Sequence, residues 1–537
     1  MRSQLILNSQ FSIQQVLNSA SSQFSIQQVL NSQFELPFQN LKYKFDDLKS
    51  IRLYARMLGI VFLVLSVAMV PVLLVSVLSL DGTWRAMLLS CLLFAGLGVL
   101  LRNVLGAHPD YNVQGRNSFW ITALVWIAVP MVSATPYLLT GAVHSFTDAA
   151  FESFSGFTTT GSSVIANPEH LPPSLLLWRS LTQWIGGLGF MLILVVALRK
   201  LKVGSRHLYD AEFSGTMQPK LHPRLAESVN RMLHVYVLMT GVLLTLLLLG
   251  GNRLLDALCL SFSTISTGGF MNDATGLSYM SGFSLFIISF FMLFSGMNMA
   301  LLYNIFTFRW RAVRGDEFRA YLMVFLFSVV VASAALIASG NGATAFCYAF
   351  FHLASTVSTC GFFIQRPEHW SFLVSGITFV LMIVGACSGS TGSGLKLKRV
   401  MIGVRYVRNY FSKMMHPNAV FSVMVEGELV PQAYIKKVFA FIFLYLCFLA
   451  GGAFLLTLGG EPIPNAVCYA VSNMGNIGPS PMITNLGMAV DYAMLSPFSK
   501  WTLVLLMLAG RIEIFALLAI VSPSYYKLKQ KAHKLKS

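Results

Sequence analysis

Ten apolar stretches set the frame, near 57–80, 84–105, 120–140, 175–198, 230–250, 282–307, 320–338, 372–395, 433–458 and 497–522 of the 537 residues. Each approaches the roughly 20 apolar residues that a helix needs to cross a bilayer. Apolar residues make up 55% of the chain and charged residues 11%, against about 45–50% and 25% in soluble domains. Too little charge remains to coat a soluble globule of this size. A multi-pass membrane protein is expected, and an even number of spans puts both termini on one side.

The chain has 38 Lys and Arg against 21 Asp and Glu, a net +17. The bases gather in four places. One loop carries Arg199, Lys200, Lys202, Arg206, Lys220 and Arg224; a second carries Arg309, Arg311, Arg314 and Arg319. A third carries Lys396, Lys398, Arg399, Arg405, Arg408 and Lys413, and the end carries Lys527, Lys529, Lys531, Lys534 and Lys536. With ten spans all four fall on one face, the cytoplasmic one by the positive-inside rule. The basic excess is therefore topological, and nucleic acid is not an expected partner.

Residues 1–50 are polar and hold a near-duplicate, QFSIQQVLNS at 10–19 and again at 23–32. They read as a cytosolic, poorly ordered tail and not as a secretory signal. The seven cysteines form no C-x-x-C pair, so buried thiols in hydrophobic segments are expected.

Between alternate spans lie apolar stretches too short to cross, each followed by a Gly/Ser/Thr cluster. Four clusters share one eight-residue pattern: SGFTTTGS from Ser155, STISTGGF from Ser263, STVSTCGF from Ser355 and SNMGNIGP from Ser472. Ser stands first, and Gly stands seventh, at Gly161, Gly269, Gly361 and Gly478. The fifth place is Thr159, Thr267, Thr359 and Asn476; the sixth is Thr160, Gly268, Cys360 and Ile477. Internal repeats of this kind imply pseudo-fourfold symmetry. Non-helical backbone at membrane depth is tolerated only where protein buries it or water lines it. Four Gly/Thr strands around an axis can present rings of carbonyl oxygens that replace the water around a cation. A short helix before each strand aims its negative C-terminal end at that axis.

These residues resemble the Trk/Ktr/HKT superfamily of bacterial potassium transporters, closest to its TrkH-type membrane subunits. The resemblance runs over about 50–527 and rests on WRSLTQWIGGLG from Trp178, SGMN from Ser295, GACSGSTGSGLK from Gly385, HPNAV from His416, NIGP from Asn476 and GRIEIF from Gly510. It implies an all-α membrane protein with two leading transmembrane helices (51–110) and four helix–pore loop–helix repeats (111–205, 206–315, 316–425, 426–527), then a basic tail (528–537). It implies a homodimer in the inner membrane, surrounded by lipid, with a cytosolic nucleotide-binding regulator of TrkA type. No cofactor is expected; the potassium ion is the substrate. Four filter glycines go with potassium preference in that family. The expected potassium-holding residues are Thr159, Thr160, Ser266, Thr267, Ser358, Thr359, Gly475 and Asn476.

Each second helix of a repeat carries mid-span glycine, at Gly186 and Gly187, Gly296, Gly385 and Gly510. The third has a run of small residues: Gly385, Ser388, Gly389, Ser390, Thr391, Gly392 and Gly394 all fall within ten positions. Glycine costs a helix about 1 kcal/mol relative to Ala, so the chain is expected to break into a loop there. Arg511 lies at similar depth in the last repeat. An intramembrane Arg faces the interior, and the loop's free carbonyls suit its guanidinium. The expectation is a gate: the loop obstructs the axis, with Arg511 as a positive barrier beside it. A pairing of Arg511 with Glu513 is the plainer alternative.

Asp148, Asp256 and Asn465 share a register seven residues before the filter Ser and are read as N-caps. Glu152 could add negative potential near the ion path, and Arg179 is read as snorkelling at an outer helix end. An enzyme is not expected, because no H-E-x-x-H, G-x-S-x-G or P-loop pattern sits at a suitable place. A sodium- or proton-coupled symporter of the same fold is the alternative to a simple potassium pore.

Overall fold

The computed structural model describes residues 52–104, 115–189, 225–309, 313, 315–340, 342–364, 371–418, 422–479, 492–514 and 517–518. The duplicated 1–50 segment, the basic stretch 199–224 and the 528–537 tail lie outside the described residues. Within them the protein is predominantly helical. Six helices are long and apolar enough to cross a bilayer: Arg52–Ser79, Trp84–Asn103, Trp120–Leu139, Asn230–Leu249, Asp316–Ala338 and Gln432–Leu458.

In chain order the first elements are α1 (Arg52–Ser79), α2 (Trp84–Val99), α3 (Gly115–Val132), α4 (Thr135–Leu139), α5 (Phe146–Phe157) and α6 (Pro173–Gly187). Then follow α7 (Leu225–Leu249), α8 (Leu254–Ile265), α9 (Gly282–Ser295), α10 (Met299–Phe306) and α11 (Asp316–Ala338). The rest are α12 (Ala345–Val357), α13 (Phe372–Val384), α14 (Leu397–Met415), α15 (Gln432–Leu458), α16 (Ile463–Met474) and α17 (Pro497–Arg511). A small hairpin, β1 (Met424–Val425) with β2 (Glu428–Leu429), turns through Gly427 at φ 77° before α15.

Four of the ten expected spans come out differently, because hydropathy does not see where a backbone breaks. The helices α6, α9, α13 and α17 each stop at or beside the glycine-bearing position. The stretch 282–307 is two helices, α9 and α10, bent by 114°. Its break is local chemistry: Asn298 restarts the helix as an N-cap, its side chain accepting from the Ala300 N–H at 2.8 Å. The 372–395 stretch is helical only to Val384.

Packing around the short helices runs in a closed circuit. In order, α5 packs on α6, α6 on α8, α8 on α9, α9 on α12, α12 on α13, α13 on α16, α16 on α17, and α17 back on α5. Outside that circuit α3 backs α5, α7 backs α8, α11 backs α12 and α15 backs α16. Large apolar side chains such as Leu78, Phe327, Phe443 and Phe454 are exposed on the long helices, which is the surface expected against lipid. The cysteines are all free, but Cys447 on the long α15 and Cys347 on the short α12 are exposed and not buried as expected.

The leading helices cross at small residues. A Cβ on Gly59 would meet the Gly98 carbonyl oxygen at 2.9 Å, so glycine lets the two backbones close up. Phe94 then stacks between Phe62 and Trp178, with centroids 6.5 and 5.9 Å away. At the turn between α1 and α2, Asp81 accepts from Ser76 Oγ (2.6 Å), Thr83 N (3.0 Å), Thr83 Oγ1 (2.7 Å), Ser174 Oγ (2.6 Å) and Ser174 N (3.3 Å). The last bond satisfies an orphan donor in the first turn of α6. Burial pushes the Asp81 carboxyl up, but the bonds from Ser174, Ser76 and Thr83 outweigh it and pull it down to about 2. Removing it by Asp81→Ala should destabilise the detergent-solubilised protein by about 1.5–3 kcal/mol, as for hydrogen bonds to a charged group, read as a lower thermal midpoint. Because the folded carboxyl titrates below its unfolded value of about 3.9, the difference between variant and parent should be full at neutral pH and vanish only as pH falls toward 2.

Candidate functional site

Each of the four short helices α5, α8, α12 and α16 ends in the same manner. The fourth residue of the pattern (Thr158, Ser266, Ser358, Gly475) closes the helix in the right-handed region. The fifth turns left-handed: Thr159 at φ 57°, Thr267 at 55°, Thr359 at 62° and Asn476 at 52°. The N–H of the sixth residue then reaches back to the carbonyl of the first-place Ser. The distances are 2.9 Å (Thr160 to Ser155), 2.7 Å (Gly268 to Ser263), 2.9 Å (Cys360 to Ser355) and 3.0 Å (Ile477 to Ser472). This is the Schellman closure of a helix C-terminus. It is usually made by Gly, and a β-branched residue held there costs about 1–3 kcal/mol. Three threonines in that conformation indicate that the surroundings dictate the backbone.

The seventh residue turns left-handed again, Gly161 at φ 81°, Gly269 at 79°, Gly361 at 82° and Gly478 at 81°. Here the absence of a side chain has a specific cause. A Cβ on Gly161 would collide with the carbonyl oxygen of Gly268, one on Gly269 with that of Cys360, one on Gly361 with that of Ile477, and one on Gly478 with that of Thr160. Each glycine therefore faces the sixth-place carbonyl of the next strand, and the fourth faces the first. The twelve fifth-, sixth- and seventh-place residues read from the sequence are thus brought together in one closed, buried cycle.

The aligned register holds, but the expected potassium-holding set took the fifth and sixth places of the first strand and the fourth and fifth of the other three. Thr158, not Thr160, stands with Ser266, Ser358 and Gly475 at the helix end. Thr160 stands with Gly268, Cys360 and Ile477. Thr158 was legible from the alignment of the four copies itself. The two threonines are joined, Thr158 Oγ1 to Thr160 Oγ1 at 2.8 Å, and Asn476 Nδ2 donates to Thr160 Oγ1 at 2.8 Å.

The mid-span glycines press against these helix ends. A Cβ on Gly186 would strike the Phe157 carbonyl, and one on Gly510 the Met474 carbonyl. Gly187 lies against Ser266, and Gly296 lies 3.1 Å by its Cβ position from the Ser358 Cα.

The run 385–394 is a loop, with Gly385, Gly389 and Gly394 at φ 70°, 76° and 90°. It passes directly by the third helix end: a Cβ on Gly392 would stand 2.8 Å from Thr359 Oγ1 and 3.0 Å from the Ser358 carbonyl oxygen. Its backbone is tied on all sides. Cys387 N donates to the Gly296 carbonyl (3.0 Å), the Gly389 carbonyl accepts from Met299 N (3.1 Å), and the Ser388 carbonyl accepts from Asn298 Nδ2 (2.7 Å). Ser388 N donates to Glu317 Oε1 at 2.6 Å. Ser390 Oγ donates to the Cys387 carbonyl at 2.7 Å, and Thr391 Oγ1 reaches the Ile265 carbonyl at 3.3 Å. Arg511 donates through Nη1 to the Thr391 carbonyl at 2.6 Å, and through Nη2 to the Gly186 and Gly187 carbonyls at 2.6 and 3.0 Å. Glu513 pairs with Arg399 at 2.7 Å and Lys396 at 3.8 Å.

On the opposite side of the cycle three expectations change. Asp148, Asp256 and Asn465 occupy the third residue of their helices, and the caps are Ser145, Arg253 and Pro462. Asp148 takes Lys500 Nζ at 2.6 Å, and Asp256 takes Asn272 Nδ2 at 2.9 Å. Arg179 does not snorkel. It is 2% exposed, lies 4.3 Å from the Phe270 ring centroid, and its Nε meets Glu152 Oε1 at 2.9 Å. Glu152 also accepts from Ser163 Oγ at 3.0 Å and Val164 N at 3.1 Å. Its charge is therefore matched by Arg179 and spent on bracing the strand after the first turn. That completeness is what a fully buried ion pair needs.

Comparison with known proteins gives a consistent result. The family described as TrkH, cation transport protein, matches residues 84–319 and 317–527. The Trk system potassium uptake protein TrkH of Halomonas elongata is 32% identical over 494 residues, covering 89% of this chain and 100% of that one. The protein of the same name from Salmonella typhimurium is 31% identical over 490 residues, covering 89% and 99%. The crystal structure of the potassium transporter TrkH from Vibrio parahaemolyticus superposes with a TM-score of 0.80 at 26% identity, covering 89% of this chain and 99% of that one.

The glycine contacts predict a sharp cost for one methyl group. Gly269→Ala adds a left-handed alanine whose Cβ overlaps a backbone carbonyl, so a loss of about 2–4 kcal/mol is expected from strain and overpacking together. Ala at Gly282, where a Cβ meets open space, should be near neutral in the same thermal-shift assay.

Proposed function

The chain belongs to the TrkH family of cation transport proteins, and from that membership we propose that it admits potassium across the bacterial inner membrane through a filter of main-chain oxygens. The family is one of multi-pass membrane transporters, not of enzymes. The observation that carries the proposal is the cycle of glycine–carbonyl contacts. Four strands packed this closely around one axis put their carbonyls at a common lumen, and such oxygens substitute for the hydration shell of potassium. The C-terminal ends of α5, α8, α12 and α16 add a partial negative charge at the same place.

In this reading the chain has two leading helices (51–110) and four repeats (111–205, 206–315, 316–425, 426–527), with both termini cytoplasmic. Thr159, Thr267, Thr359 and Asn476 with the residues on either side supply the ion-facing backbone, Thr158 taking its place beside Ser266, Ser358 and Gly475. The 385–394 loop is the gate below them. Arg511 latches it, holding the Thr391 carbonyl on one side and the end of α6 on the other. A homodimer and a cytosolic nucleotide-binding subunit of TrkA type complete the assembly in this reading.

Reconstitution in liposomes tests it. Potassium flux driven by a potassium gradient alone is the expected result; strict dependence on a sodium or proton gradient would replace the pore with a symporter. Removing the latch by Arg511→Ala should raise potassium flux about tenfold, the change that follows when a nearby positive charge no longer contributes ~1.4 kcal/mol to the barrier. Unchanged flux in that variant would rule out Arg511 as part of the gate.

A further inference from the structure

Three of the four sixth-place residues, Thr160, Cys360 and Ile477, carry side chains; the second, Gly268, does not. Each of the three finds its own support behind the strand. Thr160 binds Thr158 and Asn476, the Cys360 thiol lies 3.7 Å from the Thr264 carbonyl oxygen, and Ile477 packs with Met382 and Val471. At Gly268 the space a Cβ would need is filled by Gln183, arriving from α6 of the preceding quarter. Gln183 is fully buried. Its Nε2 donates to the Gly268 carbonyl at 2.6 Å, while its Oε1 accepts from Ser263 Oγ at 2.7 Å and Phe270 N at 3.3 Å. The Phe270 N–H only donates and the Gly268 carbonyl only accepts, so these partners fix which way the amide points.

We propose that Gln183 is a specificity-determining positioning residue: its amide tethers the Gly268 carbonyl in the sixth-place ring, and this tether sets the discrimination between potassium and sodium. The proposal rests on the filter reading above. Sodium is smaller than potassium, so the oxygens must close in to replace its water. A carbonyl whose oxygen is already held by a buried donor resists that movement. The same donor draws electron density from the oxygen and weakens the field that favours the smaller ion. Cavity size and field strength are the two origins of filter selectivity, and the tether acts on both in the same direction.

The test uses the full-length protein in liposomes with potassium and sodium flux measured in parallel. Gln183→Leu keeps the bulk and removes all three bonds. Its potassium-to-sodium flux ratio should fall about three- to tenfold, the effect of losing one neutral hydrogen bond to the carbonyl, while potassium flux itself stays within about threefold. Ser263→Ala removes only one of the two bonds to Oε1, keeps the Ser263 carbonyl that receives the Gly268 N–H, and should lower the ratio in the same direction by a smaller factor; it carries the test should Gln183→Leu not fold. A parallel fall in both fluxes at constant ratio would make Gln183 a packing residue and overturn the proposal, as would two variants indistinguishable from the parent. Absence of selective potassium flux in the parent protein would instead strike the filter reading.

Discussion

The close approach of one strand's glycine to the next strand's carbonyl is the contact on which the rest depends. It fixes four left-handed glycines, because no side chain fits there. It thereby fixes how near the four helix ends stand to one another. Everything nearby follows from keeping those ends together: threonines accepting an unfavourable backbone region, glycines in α6 and α17 and just past α9 letting second helices lie against helix-end backbone, and a buried Arg179–Glu152 pair bracing the strand after the first turn.

Much of this geometry was readable because the constraint recurs. The Ser-first, Gly-seventh pattern marked the four turns, and the first-place Ser is the residue whose carbonyl receives the sixth-place N–H. The aligned copies already set Thr158 with Ser266, Ser358 and Gly475; the expected potassium-holding set put Thr160 in its place. The break at the 385–394 run was readable from glycine content, and the guanidinium-to-carbonyl contact of Arg511 from the cost of an unpartnered charge in an apolar surround.

Other features were opaque because they depend on partners distant in sequence. The partner of Arg179 is 27 residues away on another helix, and from the chain alone an Arg near a helix end looks like one that snorkels. Asp148 looks like a cap until Lys500, 352 residues on, is seen to meet it. Hydropathy windows assign α9 and α10 to one span, since the 114° bend is made by an Asn side chain that averaging discards. Gln183 carries no signal of its own, because its place is defined by an atom missing from a residue of the next quarter.

The cycle closes within one polypeptide. In a ring of identical subunits every substitution is written four times, and a change tolerable once is often ruinous in quadruplicate. Here each joint is encoded separately, so Thr160, Gly268, Cys360 and Ile477 occupy one structural position with four different chemistries. The backbone keeps its fourfold rhythm while the scaffolding behind it is free to be lopsided. A loop can then be hung on one side only, as the 385–394 loop is beside the third helix end, without three further copies crowding the same space.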